Sequence, residues 1–194
     1  MPVITLPFGP LEANCHIVHN GTDAVVFDPS DETSLLLKTL ENNGLTLRAV
    51  VLTHLHADHC LGCADIAEAT GVPVFVGKED WDERGLLLCK GMCFGMRLKP
   101  FDAQILAPGE VTWGSLHCHI IHTPGHSPGS LCYYFEELGV LITGDLLFFR
   151  SVGRSDLPFG DGEALVRSLR EKIYTLPGAT LVYPGHGPDR KSVV

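Results

Sequence analysis

Positive charge is scarce in this chain: 14 Lys and Arg stand against 23 Asp and Glu in 194 residues, a formal charge of −9, and no basic block stands out. Such a surface repels phosphate backbones and argues against nucleic acid as a partner. Long apolar runs are also missing. None approaches the roughly 20 residues that a membrane span needs, so no membrane partner is expected. The opening MPVITLPFGPLEANCH lacks a basic region followed by an apolar core, the mark of a signal or transit peptide, and the expected location is the cytoplasm. Cysteine is present without a framework. Seven residues, an odd number at irregular spacing, fit reduced thiols better than disulfides. Cys60 and Cys63 form a CxxC, but it overlaps a histidine cluster and lacks a thioredoxin-like setting, which disfavours redox chemistry.

What is there suits one well-packed domain over 1–194: 45% of residues are hydrophobic and 19% charged, with no repeat, low-complexity tract or linker. β-rich runs occur at 3–8, 15–19, 23–28 and 47–53. Leu35, Leu36 and Leu40, ending at Gly44, read as a helix; a second is expected from Cys60 to Thr70, closed by Gly71, before a strand at 73–77. Segment 78–103 reads as a partly helical lid or loop. Several strands then follow between turns at Pro108-Gly109, Trp113-Gly114, Pro124-Gly125 and Leu138-Gly139, and a last helix at 162–174 precedes the strand TLVYP. Two strand groups, each with helices, suit an α/β fold of two mixed sheets packed face to face with helices outside; periodicity alone leaves a three-layer α/β fold open.

The stretch THLHADHCLG (53–62) gathers His54, His56, Asp58 and His59 directly after the apolar run LRAVVLT. If that run is a buried strand, the cluster occupies a strand-to-helix loop, where α/β folds place ligands. Imidazoles and carboxylates suit Zn, Fe or Mn, and a nitrogen-rich set favours Zn. Three further candidates follow apolar runs and are flanked by Gly or Pro: His126 in TPGHSPGS, Asp145 in GVLITGD and His186 in VYPGHGPD. Five histidines and two aspartates suffice for two divalent ions, with Asp145 between them. Asp28 ends a strand-like run and is a candidate acceptor for a ligand imidazole. His122 is a weaker candidate for a supporting role, while His16, His19, His117 and His119 lie in alternating strand patterns and are expected to face solvent or a partner strand.

HLHADH, TPGH, GD and PGHG, in this order from about Asn14 to Pro188, resemble the metallo-β-lactamase superfamily, and within it the glyoxalase II-like hydrolases. The resemblance implies the αββα sandwich. It also implies that His54, His56 and His126 hold one metal, that Asp58, His59 and His186 hold the other, and that Asp145 bridges them. The implied reaction is hydrolysis of a small-molecule thioester, of S-acylglutathione type, by a metal-bridging hydroxide that Asp58 orients. The segment GDLLFFRSVGRSDLPFGD is similar to that of small single-domain members. There Arg154 is a candidate grip for a substrate carboxylate or, equally, a surface arginine paired with Asp156; Phe148 and Phe149 are candidate pocket residues, one of them expected in the core. Only eight residues follow His186, so no C-terminal glutathione-binding helical domain is expected. Two competing readings remain: a mono-iron persulfide dioxygenase and a catalytically inactive metal-binding interaction module.

Overall fold

The computed structural model describes residues 1–9, 11–93 and 95–188. Its first half builds a six-stranded sheet whose spatial order follows the chain. β1 (Val3–Phe8), β2 (Ala13–His19) and β3 (Asp23–Phe27) pair antiparallel; β4 (Thr46–Val51), β5 (Val74–Gly77) and β6 (Gln104–Leu106) continue in parallel from β3. In the second sheet β7 (Gly109–Trp113), β8 (Leu116–His122), β9 (Leu131–Phe135) and β10 (Val140–Gly144) form an antiparallel meander. The hairpin β11 (Leu147–Phe148) and β12 (Ser151–Val152) follows, and β13 (Leu181–Pro184) returns parallel to β10.

Each sheet is apolar on both faces, and the strand period of two decides which partner each side chain meets. On β3, Val25 and Phe27 face the second sheet, while Ala24 and Val26 face Leu36 and Leu40 of α1 (Thr33–Asn42) and Ile66 of α2 (Cys63–Thr70). On β9, Tyr133 and Phe135 face inward. Cys132 and Tyr134 face Leu165, Leu169 and Ile173, carried by α5 (Gly162–Ser168) and the π-helical turn that extends it. Phe27 centres the layer between the sheets, its ring 4.9 Å from Tyr133 and 5.9 Å from Phe135. The Tyr133 hydroxyl donates to the Leu52 carbonyl at 2.8 Å, so even the largest fully buried side chain among the described residues keeps its polar atom satisfied. The result is the expected αββα sandwich.

Local departures have local causes. The helix expected from Cys60 begins at Cys63, because a 3-10 turn at Ala57–His59, which carries Asp58 and His59, intervenes. Segment 78–103 carries α3 (Lys78–Asp82) and α4 (Arg84–Cys93). Leu87 is buried, and Trp81, Leu88, Leu98 and Phe101 pack on the same cluster as α1 and α2, so these residues belong to the outer helical layer. The helix expected over 162–174 holds α-helical geometry only to Ser168. Asp161 starts it, its carboxylate accepting the N–H groups of Glu163 and Ala164 at 2.9 and 3.0 Å.

Candidate metal centre

The sandwich brings all seven sequence candidates to one end. His54, His56, Asp58 and His59 follow β4; His126 lies between β8 and β9; Asp145 follows β10 and His186 follows β13. Except for Asp58 and His186, which are partly exposed, and Asp145, whose side chain is 12% exposed, the group is buried. The chain approaches itself closely here. A Cβ at Gly185 would overlap the Asp145 carboxylate and crowd His59, so the glycine before His186 is sterically required.

Hydrogen bonds fix how most of the imidazoles present themselves. Asp28, at a left-handed φ of 50°, accepts the Thr53 N–H and Thr53 hydroxyl at 2.7 Å each, and His59 Nδ1–H at 3.1 Å. Because the Thr53 hydroxyl proton is spent on Asp28, its oxygen can only accept from His54 Nδ1–H, 3.0 Å away. His126 Nδ1–H donates to the Arg154 carbonyl at 2.8 Å, and His186 Nδ1–H to the Leu11 carbonyl at 3.0 Å. Four rings therefore turn an Nε2 lone pair toward the centre, while His56 presents Nδ1.

The lone pairs then face each other. His56 Nδ1 and His126 Nε2 are 2.9 Å apart, and His59 Nε2 and His186 Nε2 3.2 Å apart. Donor atoms around a tetrahedral zinc stand about 3.3 Å apart when the metal–nitrogen bonds are about 2.0–2.1 Å, so both spacings suit ligands sharing an ion. His54, His56 and His126 converge as one set, and Asp58, His59 and His186 as another. Between them, Asp145 Oδ2 lies 3.5 Å from His126 Nε2 and 3.7 Å from His186 Nε2, and its Oδ1 lies 3.6 Å from His59 Nε2. Asp28, His54 and His59 also converge, but the oxygens of Asp28 already take three donors, which makes it an orienting group. Among the described residues, His54 Nε2 and Asp145 Oδ1 are the buried side-chain atoms without a hydrogen-bond partner, and both point into this cluster. The donor set thus fits divalent cations. With no cation present the three carboxylates favour a proton at the place a cation would take: burial would lower His59, but Asp58, Asp145 and Asp28 outweigh it and push it up to about 10. Burial opposes ionisation of Asp58, yet His59 and His186 hold its carboxyl well below the usual range. Burial, then the neighbouring imidazoles, holds His54 down.

The other expectations fall in different places. Arg154 contributes its carbonyl to the centre; its exposed guanidinium forks onto Asp156 at 2.7 and 2.8 Å. Phe148 is half-buried, its ring 6.3 Å from His186, while Phe149 is exposed, so neither is core and Leu146 and Leu147 fill that role. His122 Nε2–H donates to the Pro128 carbonyl, within the loop that carries His126. His16 bonds its partner-strand neighbour Thr5 at 3.0 Å as expected, but it is wholly buried and also donates to the Pro184 carbonyl at 2.9 Å; burial lowers it to about 4. Sequence reasoning missed Thr53 and the carbonyls of Leu11 and Arg154. A hydroxyl directly before HLHADH was a signal for the first; backbone acceptors leave none.

The model of the metallo-beta-lactamase superfamily matches residues 8–186. The chain is 37% identical to the "Probable metallo-hydrolase YqgX" of Bacillus subtilis, covering 95% of this chain and 89% of that protein. It is 30% identical to "Hydroxyacylglutathione hydrolase GloC" of Haemophilus influenzae, covering 96% and 91%. Among solved structures, the BLEG-1 B3 metallo-beta-lactamase superposes with a TM-score of 0.89 at 34% identity, over 98% of this chain and 94% of that one. TTHA1623 in a di-iron-bound form superposes with a TM-score of 0.88 at 34% identity, over 98% and 95%.

Proposed function

The chain belongs to the metallo-β-lactamase superfamily, and we propose that within it the protein is a binuclear metal-dependent hydrolase that cleaves thioesters of the S-acylglutathione type. The observation that carries this reading is the pair of converging ligand sets with Asp145 between them. In this assignment His54, His56 and His126 would hold one ion and Asp58, His59 and His186 the other, with Asp145 placed between the two sets. Nitrogen-rich sets favour zinc, and the di-iron relative keeps iron, beside manganese, as an alternative. When bound, such ions acidify a water and polarise the carbonyl it attacks.

The protein's own groups do the rest. Asp28 and Thr53 hold His59 and His54 in the tautomers that leave Nε2 free. Asp58 stays anionic and reaches the solvent side of the cluster, where it accepts a hydrogen bond from the attacking water and orients its oxygen. The water oxygen bonds to the acyl carbon, the carbon–sulfur bond breaks, and the departing thiolate takes up a proton as the carboxylate forms. Phe148 flanks the substrate beside His186. Asp156 takes the Nε and Nη2 donors of Arg154, so a substrate carboxylate would meet the Nη1–Nη2 edge of the guanidinium. The name of the Haemophilus relative supports an acylglutathione substrate.

Two measurements test the reading together: metal content after reconstitution with Zn, Fe or Mn, and thiol release from an S-acylglutathione beside oxygen uptake on glutathione persulfide. Two ions per chain with thiol release and no oxygen uptake is the expected result. Saturation at one iron with oxygen consumption would overturn it in favour of a persulfide dioxygenase, which would leave Asp58, His59 and His186 without a role. Two bound ions with neither activity would point to a metal-binding interaction module.

A further inference from the structure

Asp80 belongs to none of the metal-ligand motifs, yet its carboxylate is fully buried. Its Oδ2 accepts the Leu55 N–H and the Ser127 hydroxyl, both at 2.8 Å, and its Oδ1 accepts the Gly129 N–H at 2.5 Å. Leu55 separates His54 from His56, and Ser127 follows His126. One carboxylate thus gathers donors from both loops that supply the first ligand set. The approach depends on two glycines: a Cβ at Gly129 would overlap Asp80, and a Cβ at Gly77 would overlap the Gly129 carbonyl. Ser127 is further tied to Ser130, hydroxyl to hydroxyl at 2.7 Å, so the loop has little freedom to adjust.

We infer that Asp80 is a positioning residue that holds the His54, His56 and His126 set in register and leaves the second set independent. The segment that carries His186 of the second set rests on another clamp. Asn14 Nδ2 donates to the carbonyls of Pro184 at 2.9 Å and Gly187 at 2.8 Å, its N–H donates to the Gly185 carbonyl at 2.7 Å, and His16 holds the Pro184 carbonyl as well. Two supports, Asp80 on α3 and Asn14 on β2, hold the loops of the first set and the segment of His186 separately. Replacing Asp80 by Asn removes the charge and turns an amide N–H₂ toward either the Leu55 or the Gly129 N–H, which leaves one buried donor opposed.

This inference rests on the metal-holding assignment but not on the thioesterase reading, and its test reads zinc binding alone. Zn²⁺ is titrated into chelator-stripped protein in two backgrounds, His186→Ala, which leaves the first set, and His126→Ala, which leaves the second. Asp80→Asn should weaken zinc about ten- to a hundred-fold in the His186→Ala background, the usual cost of losing an outer partner of a metal site, and leave the His126→Ala background unchanged. Asn14→Ala should do the reverse. Equal losses in both backgrounds, or none in either, overturn the inference. If Asp80→Asn fails to fold by circular dichroism, Ser127→Ala decides: it removes one donor and should give a smaller loss confined to the His186→Ala background, and no loss there overturns the inference.

Discussion

Two substitutions at the level of single side chains separate a ligand from a group that orients one. Asp145 lies within 3.5–3.7 Å of ring nitrogens from both sets, so Asp145→Ala should lower the occupancy of both ions and reduce kcat/KM by at least about 100-fold. Metal content by elemental analysis beside kcat/KM checks this; retained metal with full activity removes Asp145 from the centre. Thr53→Val keeps the shape of the side chain but takes away the oxygen that accepts His54 Nδ1–H and the proton that goes to Asp28. With the tautomer of His54 released, zinc affinity should fall about ten-fold or more while the fold persists, measured by competition with a chelating dye. The candidate ligands that the fold brings together were legible because HLHADH packs four of them into six positions and Gly or Pro flanks the rest. Asp80 was not: in KEDWDE it sits among Glu79, Asp82 and Glu83, all exposed, and reads as part of a solvated acidic turn. Leu55, Ser127 and Gly129, 25 to 49 positions away, enclose it.

Where elements meet, a single carboxylate clasps the two sheets at the end that carries the β7–β8 turn. Asp23, at the start of β3, accepts from Arg48 Nε on β4 at 2.6 Å and from the Ser115 N–H and hydroxyl at 2.8 and 2.6 Å. Those hydrogen bonds, the Ser115 hydroxyl first and Arg48 next, lower the Asp23 carboxyl to about 2. A depressed carboxyl stabilises the fold above its unfolded value, near 4, and that contribution is lost as pH falls through about 2. Asp23→Asn should therefore melt below the parent protein at pH 6, with the gap closing as pH falls from about 4 to 2. Melting curves across that range check it, and a constant gap would mean that the clasp acts without its charge. Strand positions were legible from alternating and fully apolar runs, since a strand buried on both faces reads as a continuous apolar stretch such as AVVF or VLI; their order within each sheet was not. The path of 78–103 was not, because three glycines and a proline break the period that would separate a lid from a packed helical layer.

For the molecule as a whole, the centre joins β4, β10, β13 and the β8–β9 loop, so its occupant is coupled to the stability of both sheets. A ligand that binds only the folded state adds about 4 kcal/mol at a thousand times its dissociation constant, which for a domain of this size corresponds to a rise in Tm on the order of 10 °C. Stripping the metal with a chelator should lower Tm by that order. The pH dependence of the stripped protein discriminates further. In it His59 is raised to about 10 by Asp58, Asp145 and Asp28 against the cost of burial. A histidine raised in the fold stabilises fully below its unfolded value, near 6.5, and loses that contribution as pH climbs through about 10. A bound cation takes the place of that proton, and binding releases it. The stripped protein should accordingly lose Tm steadily between pH 7 and 9.5, while the reconstituted protein changes little over the same interval. Parallel curves for the two forms would show that the cation does not displace the His59 proton, and the assignment of His59 as a ligand would fall with it.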